Sequence, residues 1–159
     1  MIRCYFHINS GQLSSLSRPG VGFFAAYSGN KGKHRNNPDS IAIPKRCPLP
    51  PGKYYIVTRS RGGWKTRLND FYKSQESGSD RKLWFALFRE DDRIDDSSFI
   101  GDVERGAFRL HPAGHNGNSD GCISIVSLSD YMILWRALVK SPPVLITPQL
   151  KAFGTIQVY

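Results

Sequence analysis

Apolar and polar residues alternate along this chain in short runs, and only one stretch keeps a helical spacing. Gly22-Phe23-Phe24-Ala25-Ala26-Tyr27-Ser28-Gly29 reads as a strand ending in a turn. A polar, basic loop from Asn30 to Ser40 follows, with asparagines and a proline that break regular structure. Cys47-Pro48-Leu49-Pro50-Pro51-Gly52 then leads into Lys53-Tyr54-Tyr55-Ile56-Val57-Thr58, an aromatic and β-branched strand. Lys82 to Arg89 predicts a buried strand, and Ala107 to Leu110 another that runs straight into His111. Val144 to Thr147 and Thr155 to Tyr159 predict closing strands. The helical stretch runs from about Ser129 to Lys140: Met132, Leu134, Trp135 and Leu138 lie on one face, Ser129 or Asp130 can cap it, and Ser141-Pro142-Pro143 stops it. Arg59 to Ser79 is basic and turn-rich, and predicts a surface excursion over the site. The pattern implies a mostly-β fold with one substantial C-terminal helix, in a single domain spanning residues 1–159.

Composition supports this. Fifteen glycines and 10 prolines suit frequent turns rather than a helical bundle. The formal charge of +9, from 22 Lys plus Arg against 13 Asp plus Glu, predicts attraction to polyanions: nucleic acid, acidic membrane surfaces or a phosphate-bearing bacterial envelope. No run approaches about 18 uninterrupted apolar residues, so no membrane insertion is expected. The opening Met1-Ile2-Arg3-Cys4-Tyr5-Phe6-His7 lacks the apolar core of a secretory leader, so synthesis in the cytosol is expected, with any export by another route.

Cys4, Cys47 and Cys122 are too far apart for a zinc pattern. Cys4 and Cys47 either pair after export or remain as two buried thiols. The acidic run Glu90 to Asp96 has no glycine to turn a calcium loop and reads as a solvated loop, so no metal site is expected.

The informative block is Arg109-Leu110-His111-Pro112-Ala113-Gly114-His115-Asn116-Gly117-Asn118-Ser119-Asp120-Gly121-Cys122-Ile123-Ser124-Ile125. A strand delivers a histidine, a small-residue loop turns the chain, and Ser-Asp-Gly-Cys opens a new apolar segment. Thiol chemistry needs a thiolate, and an imidazole can take the proton and hold the resulting ion pair. Gly121 permits a turn in which the amides around Asp120, Gly121 and Cys122 face a carbonyl oxygen as an oxyanion hole. His115 is the rival base, but a loop holds it less rigidly than a strand holds His111. Arg109 shares the face of His111 along the strand and can meet a carboxylate with two hydrogen bonds.

This block resembles the catalytic motif of the L,D-transpeptidases (the YkuD-like domain), in which a strand-borne His precedes Ser-x-Gly-Cys by a short loop. Tyr27-Ser28-Gly29 and Leu49-Pro50-Pro51-Gly52-Lys53-Tyr54-Tyr55-Ile56 are similar to that family's Ser-Gly turn and Pro-x-Gly-x-Tyr strand. The resemblance spans roughly residues 20 to 125 and is closest to the type VI secretion L,D-transpeptidase effectors. It departs at Asp120, where the family usually has His, at Ser124, where Arg or Asn is common, and in a loop that places Cys122 only 11 positions after His111. Pro112 leaves no hydroxyl beside His111 to orient the ring, so a backbone carbonyl is expected to do so.

The resemblance implies a β-sandwich-like catalytic domain with Cys122 as nucleophile and His111 as base. Ser28, Arg109, Ser119 and His115 are candidates for substrate contact. The reaction implied is cleavage of peptidoglycan stem tetrapeptides between the third residue and D-alanine, by L,D-carboxypeptidase or L,D-transpeptidase chemistry, with no cofactor. It further implies an antibacterial toxin, monomeric, exported by type VI secretion machinery into the periplasm of target cells and matched by an immunity protein. Two alternatives stand beside it. Papain-like peptidases and peptidoglycan amidases are cysteine hydrolases too, but they place Cys before His. A nucleic-acid-binding domain would suit the charge, yet no helix-turn-helix, zinc finger or RNP-type strand is present.

Overall fold

A computed structural model describes residues 1–58 and 80–159. The basic segment expected to pass over the site, Arg59 to Ser79, lies outside the described residues. Eleven strands and one α-helix make up the regular structure of the rest: β1 (Ile2–Phe6), β2 (Ser14–Arg18), β3 (Gly22–Ser28), β4 (Gly52–Thr58), β5 (Phe85–Arg89), β6 (Ser97–Ile100), β7 (Val103–Gly106), β8 (Arg109–Pro112), β9 (Ile123–Ile125), α1 (Leu128–Lys140), β10 (Val144–Thr147) and β11 (Leu150–Val158).

Nine strands form one sheet in the order β1-β2-β3-β9-β8-β5-β4-β11-β10. β1 also pairs with β11 in parallel, Ile2 opposite Gly154 through Phe6 opposite Val158, so every strand of that sheet except β10 closes into a ring. Closure removes the open edges that would otherwise expose unpaired backbone groups. β6 and β7 form a separate hairpin.

The period-2 alternation explains the interior. In β3, Phe24 is buried and its neighbour Phe23 is 82% exposed, because successive side chains leave a strand on opposite faces. Phe6, Leu16, Phe24, Tyr54, Ile56, Leu87, Leu110, Ile123 and Ile156 share one cluster, which the buried face of α1 (Tyr131, Leu134 and Leu138) completes. β4 is buried on both faces, since Tyr55 and Val57 join Ala86 and Ala152 in a second cluster. This is why its sequence is a continuous apolar run rather than an alternation.

Several boundaries differ from expectation. The helix begins at Leu128 and is capped by Ser127, whose side chain accepts from Asp130 N, rather than by Ser129 or Asp130. The strand expected from Lys82 starts at Phe85, because Asp80 accepts from Lys82 N and winds Arg81–Leu83 into a 3-10 turn. Ala107 has φ of 55°, so the strand expected from that residue begins at Arg109. β1, β2, β6 and β7 were not expected, and β11 is longer than the Thr155 to Tyr159 strand read from the sequence. Cys4 and Cys47 are separate, buried thiols. The carboxylates of the acidic run are not simply solvated: Glu90 meets Lys53 at 2.9 Å, Asp95 meets Arg93 at 2.8 Å, and Asp96 meets Arg109.

Candidate active site

β8 and β9 run parallel, with Leu110 opposite Ile123 and His111 opposite Ser124. Leu110 and Ile123 point into the core. Alternation therefore sends Arg109 and His111 from β8, and Ser124 from β9, to the other face. Cys122 immediately precedes β9, and the backbone amide of Arg109 in β8 is a hydrogen-bond donor to its thiol. A loop of small residues joins the two strands, and a pocket of about 720 Å³ opens over them, lined by Cys122, His111, Arg109, Trp84, Asp120 and Arg105 among others.

The His111 ring is buried and held on several sides. Its Nδ1 lies 2.8 Å from Pro112 O, and because a carbonyl only accepts, Nδ1 carries the proton. This is the orienting carbonyl that the sequence left unspecified. Nε2 is thereby kept as an acceptor, and Ser124 Oγ lies 3.5 Å from it. Trp84 stacks on the ring with centroids 4.1 Å apart and planes at 17°. Burial disfavours the charged imidazolium and lowers its pKa to about 4; the Pro112 hydrogen bond opposes the shift and the Arg81 charge adds to it.

Cys122 immediately precedes β9 and lines the pocket, and its Sγ lies 3.9 Å from Ala107 O. Desolvation raises the thiol to about 11, opposed by the amide and guanidinium of Arg109 and by Arg81, and reinforced by Asp120. Both shifts favour the neutral forms, which the ordinary order of thiol above imidazole already favours. No hydrogen bond joins thiol and imidazole among the described residues.

Gly121 enforces the turn into Cys122. Its φ is 100°, and a Cβ there would lie 2.6 Å from Arg105 Nη2 and 2.8 Å from Phe108 Cε1. Ser119 is buried; its amide donates to Asn30 Oδ1 at 3.1 Å and its hydroxyl to Cys122 O at 2.5 Å, bracing the same turn. Asp120 is exposed at the pocket rim. His115 is exposed and does not line the pocket. Ser28 is also outside the pocket lining: it is fully buried, its hydroxyl accepts from Leu49 N at 2.7 Å and its amide donates to Asn36 Oδ1 at 2.8 Å. It thus ties together the two upstream segments that carried the family resemblance. The Arg109 guanidinium already holds a carboxylate, with Nη1 2.5 Å from Asp96 Oδ1 and Nη2 2.6 Å from Asp96 Oδ2.

Two residues of this site had no sequence signal. Arg105 is buried and donates to Ile41 O at 2.6 Å, Pro48 O at 2.9 Å and Cys47 O at 3.3 Å, fastening that loop behind Gly121. Trp84 reads as one more apolar strand residue until the 3-10 turn before it presents its ring to His111.

The family model of the Tlde1 domain matches residues 22–149 of this chain. The chain belongs to the Tlde1-domain family. That family comprises type VI secretion effectors, toxins similar to L,D-transpeptidases. No curated protein and no solved structure matches the chain. The Tlde1 match takes in β3 to β10, and with them the whole pocket. β1, β2 and β11 lie outside it, although they close the sheet on which the pocket stands. No helix among the described residues is long and apolar enough to cross a membrane.

Proposed function

We propose that this Tlde1-family chain is a cysteine L,D-carboxypeptidase and L,D-transpeptidase acting on peptidoglycan stem tetrapeptides in the periplasm of target bacteria. The observation that carries the reading is that His111 on β8 and Cys122, immediately before the parallel strand β9, line one pocket, with His111 Nε2 kept as the acceptor. A side-chain rotation takes the thiol from Ala107 O towards Nε2. Sγ then attacks the carbonyl of the third stem residue as Nε2 takes its proton, so no free thiolate has to accumulate. The amides around Asp120, Gly121 and Cys122 receive the oxyanion. Collapse of the tetrahedral intermediate expels D-alanine, whose amine takes the proton back from His111. Water then resolves the thioester to complete hydrolysis, whereas an incoming amine completes exchange or cross-linking.

Mass spectrometry of stem tetrapeptide fragments incubated with purified protein tests this. Wild type should release D-alanine and leave the tripeptide, and Cys122→Ala should leave the substrate intact while keeping its circular dichroism spectrum. Cleavage at another bond would point to a different cysteine hydrolase, and turnover by Cys122→Ala would end the assignment. Directed to the periplasm, wild type should stop growth and Cys122→Ala should not, with neither being toxic in the cytosol.

A further inference from the structure

Arg109 lines the Cys122 pocket with only 15% of its side chain exposed, yet the carboxylate it grips, Asp96, is 45% exposed. A guanidinium sunk in a pocket wall needs an anion or carbonyls around it, and Phe108 O supplies one contact at 2.7 Å. The half-exposed carboxylate has water at hand to solvate it when it leaves the pair. Nor is the pair needed to hold the chain at this point. Asp96 is fixed through its backbone, where its carbonyl accepts from Ala107 N at 3.0 Å and packs so closely on Gly106 that a Cβ there would lie 2.2 Å from Asp96 O. β6 and β7 are also paired independently of it. The side chain of Asp96 is therefore free to leave Arg109 while the backbone stays in place.

Arg109 stands beside Cys122, whose thiol accepts from its backbone amide, and presents a planar fork that matches a carboxylate with two parallel hydrogen bonds. We propose that Arg109 is the carboxylate subsite of this pocket and that Asp96, itself outside the pocket lining, holds its guanidinium in the resting protein, so that an incoming ligand carboxylate must take the fork from Asp96. Taken with the function proposed above, on which the naming of the ligand rests, that carboxylate is the terminal one of the stem peptide. It lies three bonds from the scissile carbonyl carbon, a span that suits neighbouring positions on paired strands. Asp96 then sets specificity by competition, since a ligand that presents an amide or an alcohol cannot replace it.

The test is a titration in the Cys122→Ala background, which needs no turnover. N-acetyl-D-alanine is the probe, N-acetyl-D-alaninamide the neutral control, and binding is followed by calorimetry and amide chemical shifts. Asp96→Asn should bind the acid about five-fold or more tightly than the Asp96 protein. The amide should bind both alike, and Arg109→Met, added to Asp96→Asn, should abolish the gain. Thermal melting accompanies each variant, and Arg109→Lys serves as a second variant if Arg109→Met is unfolded, because a lysine keeps the charge but loses the fork. Equal affinity of the acid for both proteins, an equal gain for the amide, or no detectable binding of the acid to either would overturn the proposal. Selective binding without D-alanine release by the intact enzyme would instead leave the subsite standing and remove the proposed reaction.

Discussion

Gly121 is the residue at which sequence, backbone and chemistry meet. A side chain there faces two separate costs, a positive φ and collision with Arg105 and Phe108. Gly117, in the same loop, has φ of 60°, but a Cβ there would meet nothing within 4 Å. Gly121→Ala should therefore lose about 2–4 kcal/mol of stability and most activity, and Gly117→Ala about 1 kcal/mol with activity largely kept. Urea midpoints read beside D-alanine release will separate them. His111 makes a second prediction at this scale. Between pH 6.5 and pH 4 the unfolded chain binds a proton at this imidazole that the folded chain refuses, so stability present at pH 7 is lost as pH falls through that window. The loss attributable to His111 is about 3 kcal/mol. His111→Gln should flatten the acid limb of a urea-midpoint profile between those two values; an unchanged limb would show that the imidazole is not buried neutral. Cys122 adds a third. Its alkylation by iodoacetamide should keep rising up to about pH 11 instead of levelling off near 9.

At the scale of elements, the site depends on how α1 is docked. Tyr131 is fully buried on the helix, and its hydroxyl donates to Leu83 O and lies 3.2 Å from Leu110 O, the residue before His111. One side chain thus links α1 to the turn that presents Trp84 and to the strand that carries His111. Tyr131→Phe leaves two carbonyls without that donor and should cost about 1–2 kcal/mol. Because the loosened strand bears His111, the rate of D-alanine release should fall further than its KM rises, which steady-state kinetics beside thermal melting will show. The helix was legible from Leu134 and Leu138, whose spacing holds in the structure. Tyr131 carried no such signal, since a tyrosine in the first turn of a helix looks the same whether its hydroxyl meets water or a strand.

The whole molecule is held by the seam between β1 and β11. Gly154 sits where β1 crosses, and a Cβ there would lie 2.7 Å from Ile2 O, a backbone atom that cannot swing aside. Gly154→Val should open the seam and cost about 2–4 kcal/mol, with hydrogen exchange increasing first at the β1 amides. Exchange confined to β10 would instead place the weak point at the sheet's outer strand. The seam lies outside the residues that match the Tlde1 family model, so the stretch that defines the family and the closure of its scaffold rest on different parts of the chain.

What the sequence determined by itself is local. The alternation in β3, the doubly apolar run of β4, the helical period of α1 and the block from Arg109 to Ser124 each report on residues a few positions apart, where periodicity and turn chemistry act directly. Tertiary structure decided whatever depends on distant partners. It set Asp96 against Arg109, Arg105 behind Gly121 and Trp84 on His111, and it left Ser28 and His115 outside the pocket. It also deepened the preference of the candidate pair for its neutral forms. An isolated thiol is already the weaker acid of the two, and packing around the strands and beneath an indole ring pushes both groups further towards the neutral forms, because desolvation depends on every atom packed around a group and not on its neighbours along the chain.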